Sequence, residues 1–348
     1  WQRLVEPVCP IHAIRVSDGR VGRPASRLFL HFDRDDRGEE GPEAFGWMVE
    51  ARSLRVAINA LLPTLPGLSV FAPARAAVER SDAGAIVRIA GGPAIVCRLV
   101  IAAEGRNSPL RRAARIPLTR FAYGQTAIVT AIAHEQPHGF VALEHFLPSG
   151  PFAQLPMCGV PATPSDPSDG TRGGAPDVSA IVWTERTAIA ERVLAMDDAG
   201  FAREIARRLG PHLGRVRPIG RRWHYALEAL HAHRYFDTRL ALVGDAAHSI
   251  HPIAGQGLNL GFRDVDALAS LVIEAVASGA DPGAPARLLA YQRMRRPANL
   301  LMLAITDALD RLFSTDLLAV RAARDLGIAA VHRLPALKRL FTQQAMGL

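Results

Sequence analysis

The spacing of apolar residues along the chain predicts many short strands. Residues 98–103 and 240–243 are continuous apolar runs, which are typical of strands buried on both faces of a sheet. Other apolar segments favour strands at residues 11–16, 27–32, 68–71, 85–89, 95–102, 127–134, 139–146, 152–155 and 178–184. A Gly-Gly-Pro turn at residues 91–93 predicts a hairpin between two of these segments.

Helical spacing occurs between these strands and again toward the end of the chain. In residues 50–62, Leu54, Ile58 and Leu61 share one helical face, and Pro63 ends the segment. Amphipathic helices are also predicted at residues 185–196 and 198–209, and the chain is almost wholly helical from residue 258 onward. The first of these late helices has an apolar stripe formed by Leu258, Phe262, Val265, Ala269, Val272 and Val276.

The order of these elements predicts an α/β fold with an inserted sheet. Strands and helices come first, a strand-rich block follows from about residue 126, and strand and helix return after about residue 240. This order predicts that an antiparallel sheet is inserted into a nucleotide-binding domain. Residues 159–177 contain four prolines and almost no large apolar side chain, so we expect a surface loop there.

Composition narrows the classes of protein that the chain can represent. The formal net charge is +8, but Lys338 is the only lysine and the arginines are dispersed, which argues against a nucleic-acid-binding protein. Cys9, Cys97 and Cys158 are far apart, which argues for a reducing compartment and against a disulfide framework. No apolar run is long enough to span a bilayer, so we expect a cytoplasmic protein or one attached to a membrane surface.

One segment, residues 240–261, combines features of a ligand site. Asp245 directly follows a predicted buried strand, where its carboxylate can accept hydrogen bonds from ribose-like or ribityl hydroxyls. Gly255 and Gly257 let the backbone approach a flat ligand, and the next helix directs free N–H groups at this loop. The same residues are also typical of a loop and cap before a core helix, and the pattern alone favours neither interpretation.

The histidines near this segment do not predict a metal or a nucleophile. His248 and His251 flank Ser249, and His231 and His233 are two residues apart, but no third metal ligand lies at a useful spacing. Adjacent residues on a turn seldom face each other, which argues against a catalytic pair of Ser249 and His248. We therefore expect loop or capping roles, with no metal site and no catalytic side chain.

Residues 244–268 resemble the second flavin-binding motif of the class A flavoprotein monooxygenases, specifically the ubiquinone-biosynthesis hydroxylases of the UbiH/UbiF type. Residues 99–111 look like the family's first Asp-Gly motif, although Glu104 stands where the family usually has Asp. Further segments resemble the family in the same order, at residues 123–129, 134–138, 144–151, 291–296 and 312–313. The resemblance covers essentially the whole chain.

The resemblance implies an FAD-dependent enzyme that uses NAD(P)H and O₂. Its expected substrate is a polyprenylated phenol of ubiquinone biosynthesis, whose ring is hydroxylated through a C4a-hydroperoxyflavin. The carried-over cofactor residues are Glu104, Gly105, Arg106, Gly244, Asp245, Pro252, Gly255, Gln256, Gly257, Leu258 and Asn259. Among these, Asp245 would bind the ribityl chain, Pro252 would lie beside the isoalloxazine, and the amides of residues 255–259 would hold its pyrimidine edge. Gly105 and Arg106 belong to the motif that contacts FAD and the reducing cofactor.

The resemblance also implies a domain arrangement, an FAD/NAD(P)-binding Rossmann-like domain with an inserted substrate domain and C-terminal helices. We expect a partial FAD-binding domain in residues 1–118, with part of the substrate-domain sheet near 12–50. Residues 119–230 would form the substrate domain, 231–284 the flavin-ring part, and 285–348 the C-terminal helices. The family's N-terminal GxGxxG turn does not occur in this sequence. We therefore expect a chain that is truncated before Trp1 and that retains FAD poorly.

Two other functions stay open at this point. The chain can be a related flavin hydroxylase acting on another aromatic or isoprenoid compound, or a truncated, non-catalytic component of a biosynthetic complex. Residues 311–348 interleave apolar and basic side chains, which is typical of a membrane-surface helix or of a closing helix pair with a solvated basic face. A peripheral position on the inner face of a bacterial plasma membrane would follow from the first interpretation.

Overall fold

The computed structural model describes residues 2–4, 7–22, 29–33, 43–158 and 177–313, apart from the side chains of residues 29 and 254. The chain divides into two compact units. The first contains Trp1–Ser69, Gly124–Leu227 and Asp310–Leu348, and the second contains Val70–Tyr123 and Glu228–Leu309. Both units are discontinuous in sequence. The functional domain limits given above stay predictions, because compactness assigns no function.

The strands described along the chain are β1 (Cys9–Ile11), β2 (Ala13–Asp18), β3 (Phe29–Asp33), β4 (Gly46–Met48), β5 (Ala76–Ser81), β6 (Gly84–Ile89), β7 (Ala94–Cys97), β8 (Val100–Ala102), β9 (Leu118–His134), β10 (Val141–Leu147), β11 (Gly150–Met157), β12 (Asp177–Arg186), β13 (Val216–Ala232), β14 (Phe236–Asp237), β15 (Leu240–Leu242) and β16 (His248–Ser249). The α-helices are α1 (Ala51–Leu61), α2 (Pro109–Ala113), α3 (Thr187–Leu194), α4 (Asp198–Leu209), α5 (Gly257–Ala277) and α6 (Pro285–Phe313).

The first unit is built on a large sheet in which the strand order is β13-β9-β12-β11-β10-β2-β3. Strands β9, β12, β11 and β10 follow one another antiparallel, which confirms the predicted antiparallel sheet. Strand β2 lies parallel to β10, with Val16 opposite Glu144, so the complete sheet is mixed. Strands β9 and β13 are each 17 residues long and have residues in both units.

One face of this sheet is covered by α3 and α4. Ile181 and Trp183 alternate along β12 and are fully buried, as period-two side chains on a covered face must be. From α4, Phe201, Ile205 and Leu209 repeat every four residues and enter the same cluster. Helix α4 starts at Asp198, as predicted. Asp197 caps this end, and its Oδ1 accepts a hydrogen bond from the Gly200 amide at 2.7 Å.

A buried cation completes this core. The Arg208 guanidinium lies 3.9 Å from the centre of the Trp183 ring, and its side chain is 6% exposed. It also contacts the carboxylates of Glu204 at 2.7 Å and Glu185 at 3.5 Å. Two carboxylates and an aromatic face compensate for the water that the guanidinium loses, so the cation is retained inside the cluster.

The second unit contains two smaller sheets and the longest helices described. Strand β15 lies between β8, which is parallel to it, and β14, which is antiparallel. Strands β5, β6 and β7 form an antiparallel meander, and the β6–β7 connection confirms the predicted hairpin. Leu240, Leu242 and Tyr291 are fully buried in the core that joins β15 to α6.

Several strand predictions are wrong because apolar sequence does not guarantee a covered face. Residues 68–71 form no strand, and Leu68, Val70 and Phe71 are exposed. Residues 95–102 divide into β7 and β8. The run 98–103 is not buried on both faces either, since Ile101 in β8 is 50% exposed.

Most of the apolar stripe predicted for α5 lies on the exposed face, although Val272 packs against the core. Leu258, Phe262 and Val265 are exposed, whereas the buried positions are Leu260, Asp264, Ala267, Leu268 and Ala275. Small alanines permit a close approach to the β15 region, and the buried Asp264 is fully hydrogen-bonded. A count of large apolar side chains therefore selects the exposed face of this helix.

Of the remaining predictions, some are confirmed and others concern residues that the structure does not describe. Helices at 50–62, 185–196 and 198–209 are confirmed with small changes in their ends. The predicted loop at 159–177, except its last residue, and the C-terminal segment beyond residue 313 lie outside the described residues. Within the described part of the chain, no helix has the length and hydropathy needed to cross a membrane.

Replacing Phe201 tests the core of the first unit. We expect Phe201→Ala to lower the free energy of unfolding by about 3–5 kcal/mol, because it leaves a cavity between α4 and Trp183. Urea denaturation followed by tryptophan fluorescence measures the change. The matched control is Trp223→Ala, at a half-exposed aromatic residue, with an expected change within about 0.5 kcal/mol. Equal losses in the two variants would contradict this account of the core.

Candidate functional site

The candidate site lies in the second unit, where the chain leaves β15. Gly244 turns the chain with φ +56°, a conformation that favours glycine, and a single 3₁₀ turn follows at Gly244–Ala246. A Cβ on Gly261 of α5 would lie 3.6 Å from the Gly244 Cα, so the turn and the helix are in close contact. This turn leaves the Asp245 side chain 44% exposed, directly after a fully buried strand.

The two predicted motifs come together at Asp245. The Nη2 atom of Arg106 lies 3.5 Å from Asp245 Oδ2, and its Nη1 lies 3.7 Å from Glu228 Oε1. Arg120 approaches the other oxygen of Glu228 at 3.6 Å. The result is a half-exposed chain of alternating charges, of which sequence reasoning identified Arg106 and Asp245 but missed Arg120 and Glu228. No local signal marks these two, because they lie on β9 and β13.

Arg111 joins the first motif, which carries Arg106, to the second motif, which carries Asp245. Its side chain is buried and donates to the backbone oxygens of Ala246 and Arg106, each at 2.7 Å. The bond to Ala246 joins the first motif to the second across 135 residues of sequence, and the bond to Arg106 stays within the first motif. Arg111 belongs to the segment that resembles the family's first motif, but it was not among the predicted cofactor residues.

Glu104 is occupied within its own motif. Its carboxylate accepts a short hydrogen bond from the Ser108 hydroxyl and another, at 3.3 Å, from the Leu110 amide. Ser108 is in turn the N-cap of α2 and accepts from the Arg111 amide at 3.1 Å. Glu104 therefore stabilises the start of the helix that carries Arg111, while Gly105 next to it has φ +82°.

The glycine loop forms the other side of the site. After Pro252 a 3₁₀ turn covers Ile253–Gly255, and Gly255 has φ +62°. Apart from the adjoining chain, no atom of the described residues lies within 4 Å of the position that a Cβ would take on Gly255 or Gly257, so the backbone is open to a ligand there. Gly257, Leu258 and Asn259 are exposed in the first turn of α5, where amide N–H groups lack partners within the helix. Gln256 is buried and accepts from the Asn259 side chain at 3.4 Å.

A buried carboxylate, that of Asp264, fixes the turn after β15 that leads into this loop. Asp264 on α5 is 0% exposed and accepts four hydrogen bonds. Its donors are the Gly244 amide at 3.1 Å, His248 Nε2 at 2.6 Å, Arg295 Nε at 2.9 Å and Asn299 Nδ2 at 3.0 Å. Burial by itself would raise the pKa of Asp264, but the bonds from His248, Asn299 and Arg295 outweigh burial and lower the pKa below its ordinary value.

Sequence reasoning missed this role of Asp264 and gave His248 only a loop or capping role. The His248 side chain is 2% exposed and is a structural partner of Asp264. Because α5 also carries Arg263, Asp266 and Glu274, no sequence signal marked Asp264 as the buried charge. Among the residues that the structure describes, no group of three or more His, Cys, Asp or Glu side chains is arranged to hold a metal ion.

Comparison with known proteins shows the family. A family model described as "FAD binding domain" matches residues 75–305. Ubiquinone hydroxylase UbiL from Rhodospirillum rubrum is 48% identical over 348 residues, which are 100% of this chain and 75% of that protein. The 3-demethoxyubiquinol 3-hydroxylase of Escherichia coli (strain K12) is 33% identical over 304 residues, covering 87% of this chain and 73% of that protein.

A solved structure supports the fold independently. The crystal structure of p-nitrophenol 4-monooxygenase PnpA from Pseudomonas putida DLL-E4 superposes with a TM-score of 0.70 at 15% identity, and covers 98% of this chain and 82% of that one. Such low identity indicates a shared fold alone. The predicted FAD-binding α/β fold with an inserted sheet is confirmed. Together with the matching sequences, it shows that this chain belongs to the FAD-dependent monooxygenase family that includes the ubiquinone-biosynthesis hydroxylases.

Proposed function

We propose that this protein hydroxylates the aromatic ring of a polyprenylated phenol in ubiquinone biosynthesis, with FAD, NAD(P)H and O₂. The observation that carries the proposal is the junction of the two predicted motifs at Arg106 and Asp245, in a chain 48% identical to a ubiquinone hydroxylase. The substrate class is taken from that relative's name.

The residues of the site fit the flavin half of FAD. The half-exposed Asp245 carboxylate is an acceptor for hydroxyl donors such as those of a ribityl chain. The open backbone at Gly255 and Gly257 permits close approach of a flat ring. The first amides of α5 and the positive end of its dipole favour negative charge at the edge of that ring. We assign Pro252, Gln256, Leu258 and Asn259 to the surroundings of the ring, and Gly244 to the turn that presents Asp245.

The division of labour between cofactor and protein follows from these groups. Bound FAD supplies the redox and oxygen chemistry, which amino-acid side chains do not supply. Asp245 and the α5 amides orient the cofactor, and Arg106 adds positive charge beside it. Glu104 and Gly105 shape the motif that holds Arg106, and Arg111 fixes the distance between the two motifs.

An activity assay with a site variant tests the proposal. With FAD added in excess, the purified protein is expected to oxidise NAD(P)H and to convert a polyprenylated phenol to its hydroxylated product, detected by mass spectrometry. Asp245→Ala removes a charged acceptor, so we expect FAD affinity to fall at least about tenfold in a fluorescence titration. Asp82→Ala, in the exposed β5–β6 turn, is the control. A protein that binds no added FAD, or one that hydroxylates soluble phenols as fast as polyprenylated ones, would contradict the proposal.

Asp264→Asn separates support of the loop from contact with FAD. The variant leaves Arg295 and His248 without their carboxylate, so we expect a loss of about 3–5 kcal/mol in the free energy of unfolding, together with weaker FAD binding. Thermal unfolding with and without FAD measures both effects. The control is Asp266→Asn, at an exposed position of the same helix. If the two variants behave alike, Asp264 does not hold the loop.

The lowered pKa of Asp264 fixes the direction of the pH dependence. Its stabilising contribution is fully present above the unfolded pKa of about 3.9. The contribution is lost as the pH falls through the lower folded pKa. Because the amide introduced by Asp264→Asn has no proton to gain, the acid-induced loss of stability should be smaller in that variant than in the wild type.

We also propose that the protein meets its apolar substrate at an anionic membrane surface, where a biosynthetic complex would assemble. The net charge of +8, carried almost wholly by arginine, supports this. Cosedimentation with vesicles containing anionic lipid should be stronger than with neutral phosphatidylcholine vesicles, and should weaken as salt is raised. Equal cosedimentation with both vesicle types would contradict a charge-driven contact.

A further inference from the structure

The second unit contains a cavity apart from the predicted flavin residues. Its volume is about 230 Å³, and it lies between the start of β9, the end of β13 and the middle of α6. Its lining includes the apolar side chains Phe121, Leu300 and Leu303 and the polar side chains His231 and Arg296. None of the eleven residues assigned to FAD belongs to this lining. The cavity is therefore a second place where the unit can take a ligand.

Two polar side chains in the lining have unused hydrogen-bonding capacity. His231 is 5% exposed, and neither of its ring nitrogens has a hydrogen-bond partner among the described residues. The buried Nε of Arg296 is likewise without a partner there. A buried polar atom without a partner costs free energy, and native proteins keep few of them. Two such side chains on one cavity indicate that a molecule in the cavity supplies their hydrogen-bond partner.

The other polar groups of the lining are already satisfied. Thr119 Oγ1 lies 2.9 Å from His233 Nε2, so these two bond with each other. His248, the nearest histidine on the neighbouring strand, is held by Asp264. No carboxylate belongs to the lining, and Arg296 forms no ion pair with any residue that the structure describes. The cavity thus combines one uncompensated positive charge with one free imidazole.

The imidazole is neutral at physiological pH. Burial and, next, the positive charge of Arg296 lower the pKa of His231 to about 4. A neutral imidazole has one N–H donor and one bare nitrogen, so it can donate to an anion without adding a second charge. Phe121, Leu300 and Leu303 supply an apolar wall.

We infer that this cavity binds a single-ring aromatic carboxylate. The ring would lie against Phe121, Leu300 and Leu303, and the carboxylate would accept from Arg296 and His231. An apolar cavity of about 150 Å³ binds benzene, so a volume of about 230 Å³ has room for one substituted benzene ring.

The position of the cavity connects it to the flavin loop. Leu230 and His231 pair with Ser249 and His248, two of the residues between Asp245 and Pro252. A ligand on His231 therefore contacts β13, the strand that pairs with β16 ahead of that loop. The site goes beyond the proposed hydroxylation, and its existence does not depend on the identity of the hydroxylated substrate.

Calorimetric titration of the purified protein with benzoate tests the inference, with benzamide as the uncharged analogue of the same shape. We expect saturable binding of benzoate and at least about tenfold weaker binding of benzamide, because charge-assisted hydrogen bonds are the strong ones. No saturable benzoate binding would show a cavity that holds water only and would overturn the inference. Equal binding of benzamide would overturn the assignment of a carboxylate.

Variants then locate the bound benzoate. Arg296→Gln and the cavity-filling Leu303→Trp should each weaken benzoate binding at least about tenfold. Arg293→Gln removes the same charge from an exposed position of α6 outside the lining and should leave binding unchanged. Since Leu303 is only partly buried, its variant is expected to fold even if one at His231 does not. Benzoate binding that survives both pocket variants would place benzoate elsewhere and refute the proposed site. That outcome would leave the proposed hydroxylation untouched, because hydroxylation is measured separately.

Discussion

The second unit depends on one buried negative charge. Asp264 has no contact with water, and an unpaired carboxylate in such a place would cost several kcal/mol. It is tolerated because four donors surround it, from the turn after β15, from His248 and from two positions of α6. These donors lie far apart in sequence. Satisfying one carboxylate therefore fixes α5, α6 and the beginning of the glycine loop relative to one another.

This constraint explains the orientation of α5. The face that carries Asp264 must point inward, and it does so together with Ala267 and Ala275, which are small enough for close contact. Gly261 on the same helix meets Gly244 backbone to backbone. Leu258, Phe262 and Val265 are left on the opposite face, although hydrophobicity alone would bury them. The gain from a satisfied charge and close backbone contact decides the orientation.

The sequence allowed prediction of features whose causes are local. The glycines of the loop, the Gly-Gly-Pro turn at residues 91–93 and the aspartate after the buried strand all act within a few residues of themselves. The wrong predictions share a different cause. Whether residues 68–71 pair with another strand, or whether Ile101 is covered, depends on distant segments. The same holds for Glu228 and Arg120, which reach the Arg106–Asp245 contact from separate strands.

Asp245 and Asp264, nineteen residues apart, show how burial separates a carboxylate that supports the site from one that is available to a ligand. Asp264 is buried among fixed donors, so its bonds are strong and permanent and leave no capacity for a ligand. Asp245 faces Arg106 at 3.5 Å with both side chains about 40% exposed, and such an ion pair contributes little to stability. Because little is lost when that contact is exchanged, Asp245 can release it to accept hydroxyl groups of a cofactor. The buried carboxylate builds the site, and the weakly held one is available to the ligand.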